Sequence, residues 1–86
     1  MASYRVLIKP TAVKELEAMP LKARRKLVGK IQALATEPRP PGSEKLTGQE
    51  RYRIRQGDYR AIYGIDDDNR TVLVVMIGHR GDIYRK

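Results

Sequence analysis

Four arginines stand at spacings that suit the binding of phosphate. The segment Arg51-Tyr52-Arg53-Ile54-Arg55 would send all three of its arginines to one face of a β-strand. In the segment 59–65, the same alternation places Arg60 opposite a face formed by Tyr59, Ala61, Tyr63 and Ile65. Crowded guanidinium groups repel one another, and a phosphate relieves that repulsion because each guanidinium presents a planar fork of donors. The pattern indicates either a phosphate-binding patch or a solvated sheet face that tolerates arginine.

Three further side chains of chemical interest follow the last apolar stretch. His79 supplies an imidazole, Arg80 a guanidinium and Tyr84 a phenol. If these residues overhang the arginine patch, they supply groups that can move a proton or stabilise charge. A lone histidine is more often structural than catalytic, and Tyr84 could instead pack against the sheet, so both interpretations stay open.

The sequence offers little for metal or cofactor chemistry. It contains one His, no Cys and no carboxylate pair at ligand spacing, which argues against a zinc or two-metal site. The run Asp66-Asp67-Asp68 is better explained as a turn, and no glycine-rich phosphate loop is present. We therefore expect neither a metal nor a cofactor.

Hydrophobic periodicity predicts the elements of the first half of the chain. Residues 3–9 alternate as a half-buried strand. Thr11 stands where the N-cap of a first helix belongs, and Pro20 suits the start of a second helix. The apolar face of that second helix would be formed by Leu27, Val28, Ile31, Leu34 and Ala35. Its opposite face carries Lys22, Lys26 and Lys30.

The second half predicts most of a sheet. Residues 37–50 are rich in Pro and Gly and predict a loop. Residues 51–55 and 59–65 predict a hairpin. Residues 70–78 would carry apolar side chains on both faces of a strand, which predicts a central strand of the sheet. The order β-α-α-β-β-β predicts an α+β fold in which an N-terminal helical hairpin packs on one face of a mostly antiparallel four-stranded sheet.

Size and charge limit the kind of protein further. A chain of 86 residues has room for one core, so we expect a single domain over residues 1–86. Its 18 basic and 10 acidic residues give a net charge of +8, which favours a polyanionic or acidic partner. The lack of Cys, of a secretion signal and of a membrane-length apolar run predicts a soluble cytoplasmic protein that does not engage a membrane.

In their order and spacing, four pieces of the sequence resemble the RelE/ParE superfamily of toxins from bacterial type II toxin-antitoxin systems. The pieces are Lys45-Leu46-Thr47-Gly48, the basic strand at 51–55, Asp58-Tyr59-Arg60-Ala61-Ile62-Tyr63, and Gly78-His79-Arg80-Gly81-Asp82-Ile83-Tyr84-Arg85. Each piece alone is weak evidence for the resemblance, whereas their order and spacing are fairly specific. The resemblance covers nearly the whole chain. The resemblance implies the RelE-like microbial ribonuclease fold.

In the RelE branch, the toxin enters the ribosomal A site and cleaves messenger RNA without metal, which inhibits translation. The resemblance implies attack of a ribose 2′-hydroxyl on the adjacent phosphate, leaving a 2′,3′-cyclic phosphate and a free 5′-hydroxyl. The implied RNA- or phosphate-binding residues are Arg53, Arg55, Lys45 and Arg51. The implied catalytic residues are Arg60, Arg80, Tyr84 and His79, the two arginines stabilising the charge of the transition state.

The general base is open, because well-known relatives carry lysines where this chain has Arg53 and Arg55. A guanidinium essentially never loses its proton and cannot act as a base. Tyr84, or His79 as the second choice, would then take the proton of the 2′-hydroxyl or supply one to the leaving oxygen.

The resemblance also implies partners. The first is a cognate antitoxin whose acidic, partly disordered segment wraps the toxin. The others are the 70S ribosome A site and its messenger RNA, while operator DNA would be reached only through the antitoxin, with this chain as corepressor. Two alternatives stay open: a ParE-like inhibitor of DNA gyrase without enzymatic activity, and an RNA-binding module that does not cleave.

Overall fold

Two helices and five strands make up the fold in the computed structural model, which describes residues 3–46, 48 and 50–79. The elements in chain order are β1 (Arg5–Ile8), α1 (Pro10–Glu17), α2 (Leu21–Ala33), β2 (Glu44–Lys45), β3 (Arg51–Gln56), β4 (Tyr59–Asp66) and β5 (Thr71–His79). The predicted α+β class and the helical hairpin ahead of the sheet are confirmed. The addition is β2, a two-residue strand inside the segment that was predicted to be a loop.

The strands form one mixed sheet in the order β1-β5-β4-β3-β2. β1 runs parallel to β5, and the other neighbours are antiparallel. The β3–β4 hairpin turns through Gly57, whose φ of 61° is a conformation that glycine adopts without strain. The run of aspartates is a turn, as predicted, because the backbone N–H of Asn69 donates to Asp66 at 3.2 Å.

The helices begin at prolines or directly after them. α1 starts at Pro10, whose fixed φ and missing N–H suit the first helical position. The prediction that Thr11 is the N-cap was therefore wrong, since Thr11 lies inside the helix and Lys9 holds the cap position. Pro20 holds the corresponding position of α2, as predicted. Among the described residues, neither helix is long and apolar enough to cross a membrane.

The core lies between the helices and one face of the sheet. α2 contributes Leu27 and Ile31, and its C-cap residue Leu34 follows; all three are fully or nearly fully buried, as the periodicity predicted. The strands contribute Ile54, Ala61, Tyr63, Val72, Val74 and Ile77. Burial of each large aliphatic side chain stabilises the fold by roughly 1.5–3 kcal/mol. Neither helix covers the other face of the sheet, which we call the open face.

A β-bulge interrupts the pairing of β4 with β5. Ile62 pairs with Met76, whereas the next residue, Tyr63, pairs with Val74, so Val75 is the extra residue. Val74 and Ile77 consequently both face the helices, although they are an odd number of positions, three, apart along the chain. The bulge reverses the faces of the last residues of β5 relative to simple alternation.

Candidate nucleic-acid interface

The structure brings Arg53, Arg55 and Arg60 together on the open face. Arg55 and Arg60 are direct cross-strand partners in the β3–β4 pair, and Arg53 lies two residues before Arg55 on the same side of β3. Tyr52 and Ile54, which alternate with these arginines, pack toward the core instead. We call Arg53, Arg55 and Arg60 the arginine cluster.

Burial separates the members of the cluster. Arg60 is only 6% exposed, and the side chain of Arg53 is 16% exposed, whereas Arg55 is exposed. Gly78 pairs with Arg60 from β5 and adds no side chain on that flank. A guanidinium removed from water exerts a stronger field on a neighbouring charge than an exposed one. Arg60 is buried and is therefore not part of a solvated surface. The interpretation of the arginine pattern as a solvated sheet face is not supported at this residue.

Glu44 of β2 completes the surroundings of the cluster. It pairs with Arg53 across the β2–β3 ladder. Its Oε1 accepts a hydrogen bond from Arg53 Nε at 3.1 Å and a second from Arg53 Nη2. The bond from Arg53 is the main reason that the pKa of Glu44 lies below its usual range, and the charges of Arg55 and Arg60 lower it further. Sequence reasoning missed Glu44, because its strand lies in a Pro- and Gly-rich segment.

Arg51 lies on the open face, apart from the cluster. It pairs with Gly64, and its Nη1 occupies the space above that glycine, only 2.9 Å from where a Cβ would stand. Gly64 is therefore the residue that lets Arg51 lie flat across the sheet. Arg51 and Arg55 are four positions apart along β3, which corresponds to roughly 13 Å.

Lys45 does not join the arginines. It pairs with Tyr52, so it projects on the side of the sheet that faces the helices. Its Nζ lies 3.6 Å from a carboxylate oxygen of Glu50, an exposed ion pair of little energetic weight. A contact between Lys45 and RNA bound on the open face would have to reach around the edge of the sheet.

His79 is also on the face opposite the arginine cluster. It pairs with Tyr59, and the two rings meet edge to face with centroids 5.0 Å apart. The nearby Glu15 accepts a hydrogen bond from the backbone N–H of Ile77 at 2.9 Å, which ties α1 to this end of β5. The expectation that His79 overhangs the arginine patch does not match this position. Arg80 and Tyr84 lie outside the described residues.

A hydrogen-bonded network fixes the loop that leads into β2. Arg39 donates to both carboxylate oxygens of Asp67, at 3.3 and 2.9 Å, and to the hydroxyl of Tyr52 at 3.1 Å. Tyr4 donates to the same carboxylate at 2.7 Å. These bonds lower the pKa of Asp67, and the bond from Arg39 has the largest effect. Through them, the loop is attached to the residue before β1, to β3 and to the β4–β5 turn.

Tyr63 holds the same loop from beneath. Its hydroxyl donates to the carbonyl of Pro38 at 2.8 Å. Burial raises the pKa of Tyr63 to about 12, so the phenol stays a neutral donor at physiological pH. The position of Glu44 beside Arg53 thus depends on a loop that is anchored at several points.

The described residues contain no group of three or more His, Cys, Asp or Glu side chains arranged to hold a metal ion. In the part of the chain that the structure describes, the groups in and beside the arginine cluster are guanidinium groups and the carboxylate of Glu44. Such groups bind and polarise phosphates, and the carboxylate can accept a proton.

The fold of this chain is similar to that of solved toxin structures. The chain is similar to RelE in the archaeal RelE-RelB complex from Pyrococcus horikoshii, with 30% identity, a TM-score of 0.80, and coverage of 93% of this chain and 98% of that one. It is also similar to the isolated E. coli RelE toxin, with 26% identity, a TM-score of 0.80, and coverage of 96% and 93%.

Sequence comparison gives the family. Residues 6–84 match the sequence model of the ParE toxin of type II toxin-antitoxin systems, parDE. The chain belongs to this toxin family. It is 32% identical over 84 residues to the toxin RelE of Mycobacterium tuberculosis, covering 95% of this chain and 87% of that toxin. A shorter match, 46% identical over 35 residues, spans 41% of this chain and 40% of the toxin RelG of the same organism.

Proposed function

We propose that this toxin is a ribosome-dependent, metal-independent endoribonuclease that cleaves messenger RNA and thereby inhibits translation. The observation that carries the proposal is the buried Arg60 beside Arg53 and Arg55 on the open face. The similarity to toxins named RelE supports the same conclusion. Translating ribosomes would place this activity in the cytoplasm.

The proposed reaction is an internal transphosphorylation. The ribose 2′-oxygen forms a bond to the adjacent phosphorus, the bond from phosphorus to the 5′-oxygen breaks, and a proton passes to that leaving oxygen. Arg60 and Arg80 stabilise the extra negative charge of the transition state, while Arg53, Arg55 and Arg51 hold neighbouring phosphates. DNA lacks the attacking hydroxyl and would be bound without being cleaved.

For proton transfer we propose Tyr84 before His79. The imidazole of His79 stands against Tyr59 on the face opposite the arginine cluster, which places it away from a phosphate bound there. With so few catalytic groups on the toxin, the ribosome would supply the orientation of the message, and free RNA would be a poor substrate.

The proposed partners follow from the same role. RelE toxins have been crystallised with their RelB antitoxins, including the intact E. coli RelBE complex. We propose a cognate antitoxin with an acidic, partly disordered segment for this chain, whose net charge of +8 favours such a partner. Together the two proteins would bind operator DNA through the antitoxin, with the toxin as corepressor.

The test is primer-extension mapping of messenger RNA after brief expression in translating cells, comparing the wild type with Arg60→Ala and Arg80→Ala. New 5′ ends inside coding frames are expected for the wild type only, with a loss of about 100-fold or more in each variant. Both variants should lose growth inhibition and keep antitoxin binding. Cleavage on purified ribosomes should be unchanged when the toxin alone has been treated with EDTA and the chelator removed before the assay. Retained toxicity in both variants would refute the site.

Inhibition of DNA gyrase is the second candidate, because the matching family model is that of the ParE toxin. It needs no catalytic residues on the toxin. Growth arrest with intact messages, together with inhibition of supercoiling by purified gyrase, would decide for it. Protection of RNA without cleavage would instead indicate a purely binding module.

A further inference from the structure

Glu44 occupies a position that an RNA phosphate would also take. Two N–H groups of Arg53 converge on one of its carboxylate oxygens. A guanidinium presents the same pair of donors to a non-bridging phosphate oxygen. One guanidinium cannot give these two hydrogens to both anions at once, so the carboxylate and a phosphate compete for the edge of Arg53 formed by Nε and Nη2.

The field around Glu44 reinforces this competition. Its carboxylate lies among the charges of Arg53, Arg55 and Arg60, which together favour its ionised form and keep its pKa low. A negative group at this point neutralises part of the field that the cluster would otherwise offer to RNA. The free toxin therefore carries an internal anion where its substrate must bind.

The contact is also easy to break. Glu44 is 57% exposed, so its side chain can turn into water, and solvent screening keeps such an ion pair weak. Its strand pairs with β3 through only two residues, Glu44 and Lys45. Release of the carboxylate from Arg53 requires no change in the core.

We propose that Glu44 is a displaceable competitor that occupies Arg53 in the free toxin and yields it to an RNA phosphate on binding. This inference rests on the proposed function, in which RNA binds the arginine cluster. The competition lowers the affinity for isolated phosphates and free RNA. An RNA that several contacts hold in place at the same time, such as one presented on the ribosome, displaces the carboxylate more readily.

The test measures binding of a fluorescent single-stranded RNA whose 2′-hydroxyls are methylated, so that it cannot be cleaved. We compare the wild type with Glu44→Gln, which keeps the size and removes the charge. The matched control is Glu17→Gln, which makes the same change of net charge at an exposed position of α1. At low salt, Glu44→Gln is expected to bind about fivefold more tightly than Glu17→Gln.

Salt dependence and a variant of Arg53 identify the group that Glu44 yields. If Glu44 yields Arg53 to a phosphate when RNA binds, the wild type and Glu44→Gln make the same number of phosphate contacts, so the slope of log affinity against log salt is expected to be the same in the wild type, Glu44→Gln and Glu17→Gln. In an Arg53→Ala background, Glu44→Gln is expected to lose most of its gain over Glu17→Gln, because the contested donor is gone and only the weaker influence of Arg55 and Arg60 remains.

Equal affinity of Glu44→Gln and Glu17→Gln would overturn the proposal. The proposal would also be overturned if Glu44→Gln bound RNA with unchanged affinity but no longer cleaved messenger RNA on ribosomes. That outcome would indicate that Glu44 acts as a proton acceptor. The methylated RNA reports binding alone. The comparison of affinities therefore does not depend on whether the toxin cleaves RNA. A wild type that cuts no message while Glu44→Gln binds more tightly would refute the ribonuclease and leave the competition intact.

Discussion

At the scale of single residues, the open face depends on where side chains are absent as much as on where they are present. Gly64 leaves the space that Arg51 occupies, and Gly78 stands opposite Arg60. The arrangement of arginines therefore reflects small residues on β4 and β5 as well as the basic pattern of β3.

Gly64→Ala is expected to displace Arg51 without deleting it. The new Cβ would lie 2.9 Å from Arg51 Nη1, the far end of a flexible side chain that can move at little cost. Gly64 is not among the glycines with positive φ, so alanine fits its backbone and stability should hold or rise by about 0.5 kcal/mol. Binding of RNA should fall to the level of Arg51→Ala, as measured by fluorescence anisotropy.

The double variant Gly64→Ala/Arg51→Ala is the control for this prediction and should bind no more weakly than either single variant. Thermal unfolding of all three chains would establish that they fold. Wild-type affinity in Gly64→Ala, alongside weakened binding in Arg51→Ala, would mean that Arg51 does not act from its place above the glycine.

At the scale of elements, alternation in β3 and β4 was enough to predict the arginine cluster. The period-two pattern of Arg51 to Arg55 is unbroken, and the hairpin turn at Gly57 fixes the register of the two strands. The face opposite Tyr59 and Tyr63 was therefore assigned correctly from sequence. The burial of Arg60 was not predicted, because alternation gives the face on which a side chain lies and not how far it is covered.

The position of His79 could not be predicted in the same way. Residues 72–77 are all apolar, so their sequence carries no signal for the extra residue at Val75. Without the bulge, alternation from Val74 would send His79 to the open face. With it, His79 joins Ile77 on the helix side. Glu44 was missed for a related reason, since two residues of strand leave no periodicity to detect.

The loop network gives an element-level prediction about pH. The pKa of Asp67 is lowered from 3.8 by Arg39 and Tyr4, so its bonds stabilise the fold fully above pH 3.8 and lose this effect as pH falls through the lower folded value. Asp67→Asn should therefore melt at a lower temperature than the wild type at pH 7. The difference should shrink below pH 3.8.

Asp68→Asn is the matched control, because Asp68 is an exposed neighbour in the same turn. Thermal unfolding followed by circular dichroism from pH 7 to pH 2 would measure all three chains. A deficit of Asp67→Asn that persists unchanged at pH 2 would mean that the charge of Asp67 is not what holds the loop.

At the scale of the whole molecule, the fold separates two positively charged surfaces. The arginine cluster lies on the open face, while Lys22 and Lys26 are exposed on α2, in the helical layer on the other side of the sheet. A net charge of +8 attracts polyanions to the molecule in general, whereas close contacts decide which surface holds them.

The salt dependence of RNA binding should tell these surfaces apart. Neutralisation of phosphates by the three arginines of the cluster predicts a slope of about −2 for log affinity against log salt with single-stranded RNA. Arg55→Gln should make the slope shallower by about 0.7, because one phosphate contact is lost. Lys26→Gln makes the same change of charge on α2 and should leave the slope unchanged. Equal effects of the two variants would show that RNA does not select the open face.

The shortness of β2 has a consequence for encounters between copies of the chain. β2 pairs with β3 at Tyr52 and Arg53, and the N–H of Leu46 donates to the carbonyl of Arg51 at 2.9 Å, so among the described residues this pairing covers the first half of β3. The second half, residues 54–56, is a sheet edge of the kind that recruits strands from other molecules. At this edge, the carbonyl of Arg55 already accepts a hydrogen bond from Lys30 Nζ at 2.7 Å. A second copy that approaches this edge meets the charged side chains of Lys30 and Arg55 and a carbonyl, that of Arg55, whose hydrogen bond is already made. The charges beside a truncated strand thus act against the intermolecular sheets from which aggregates grow.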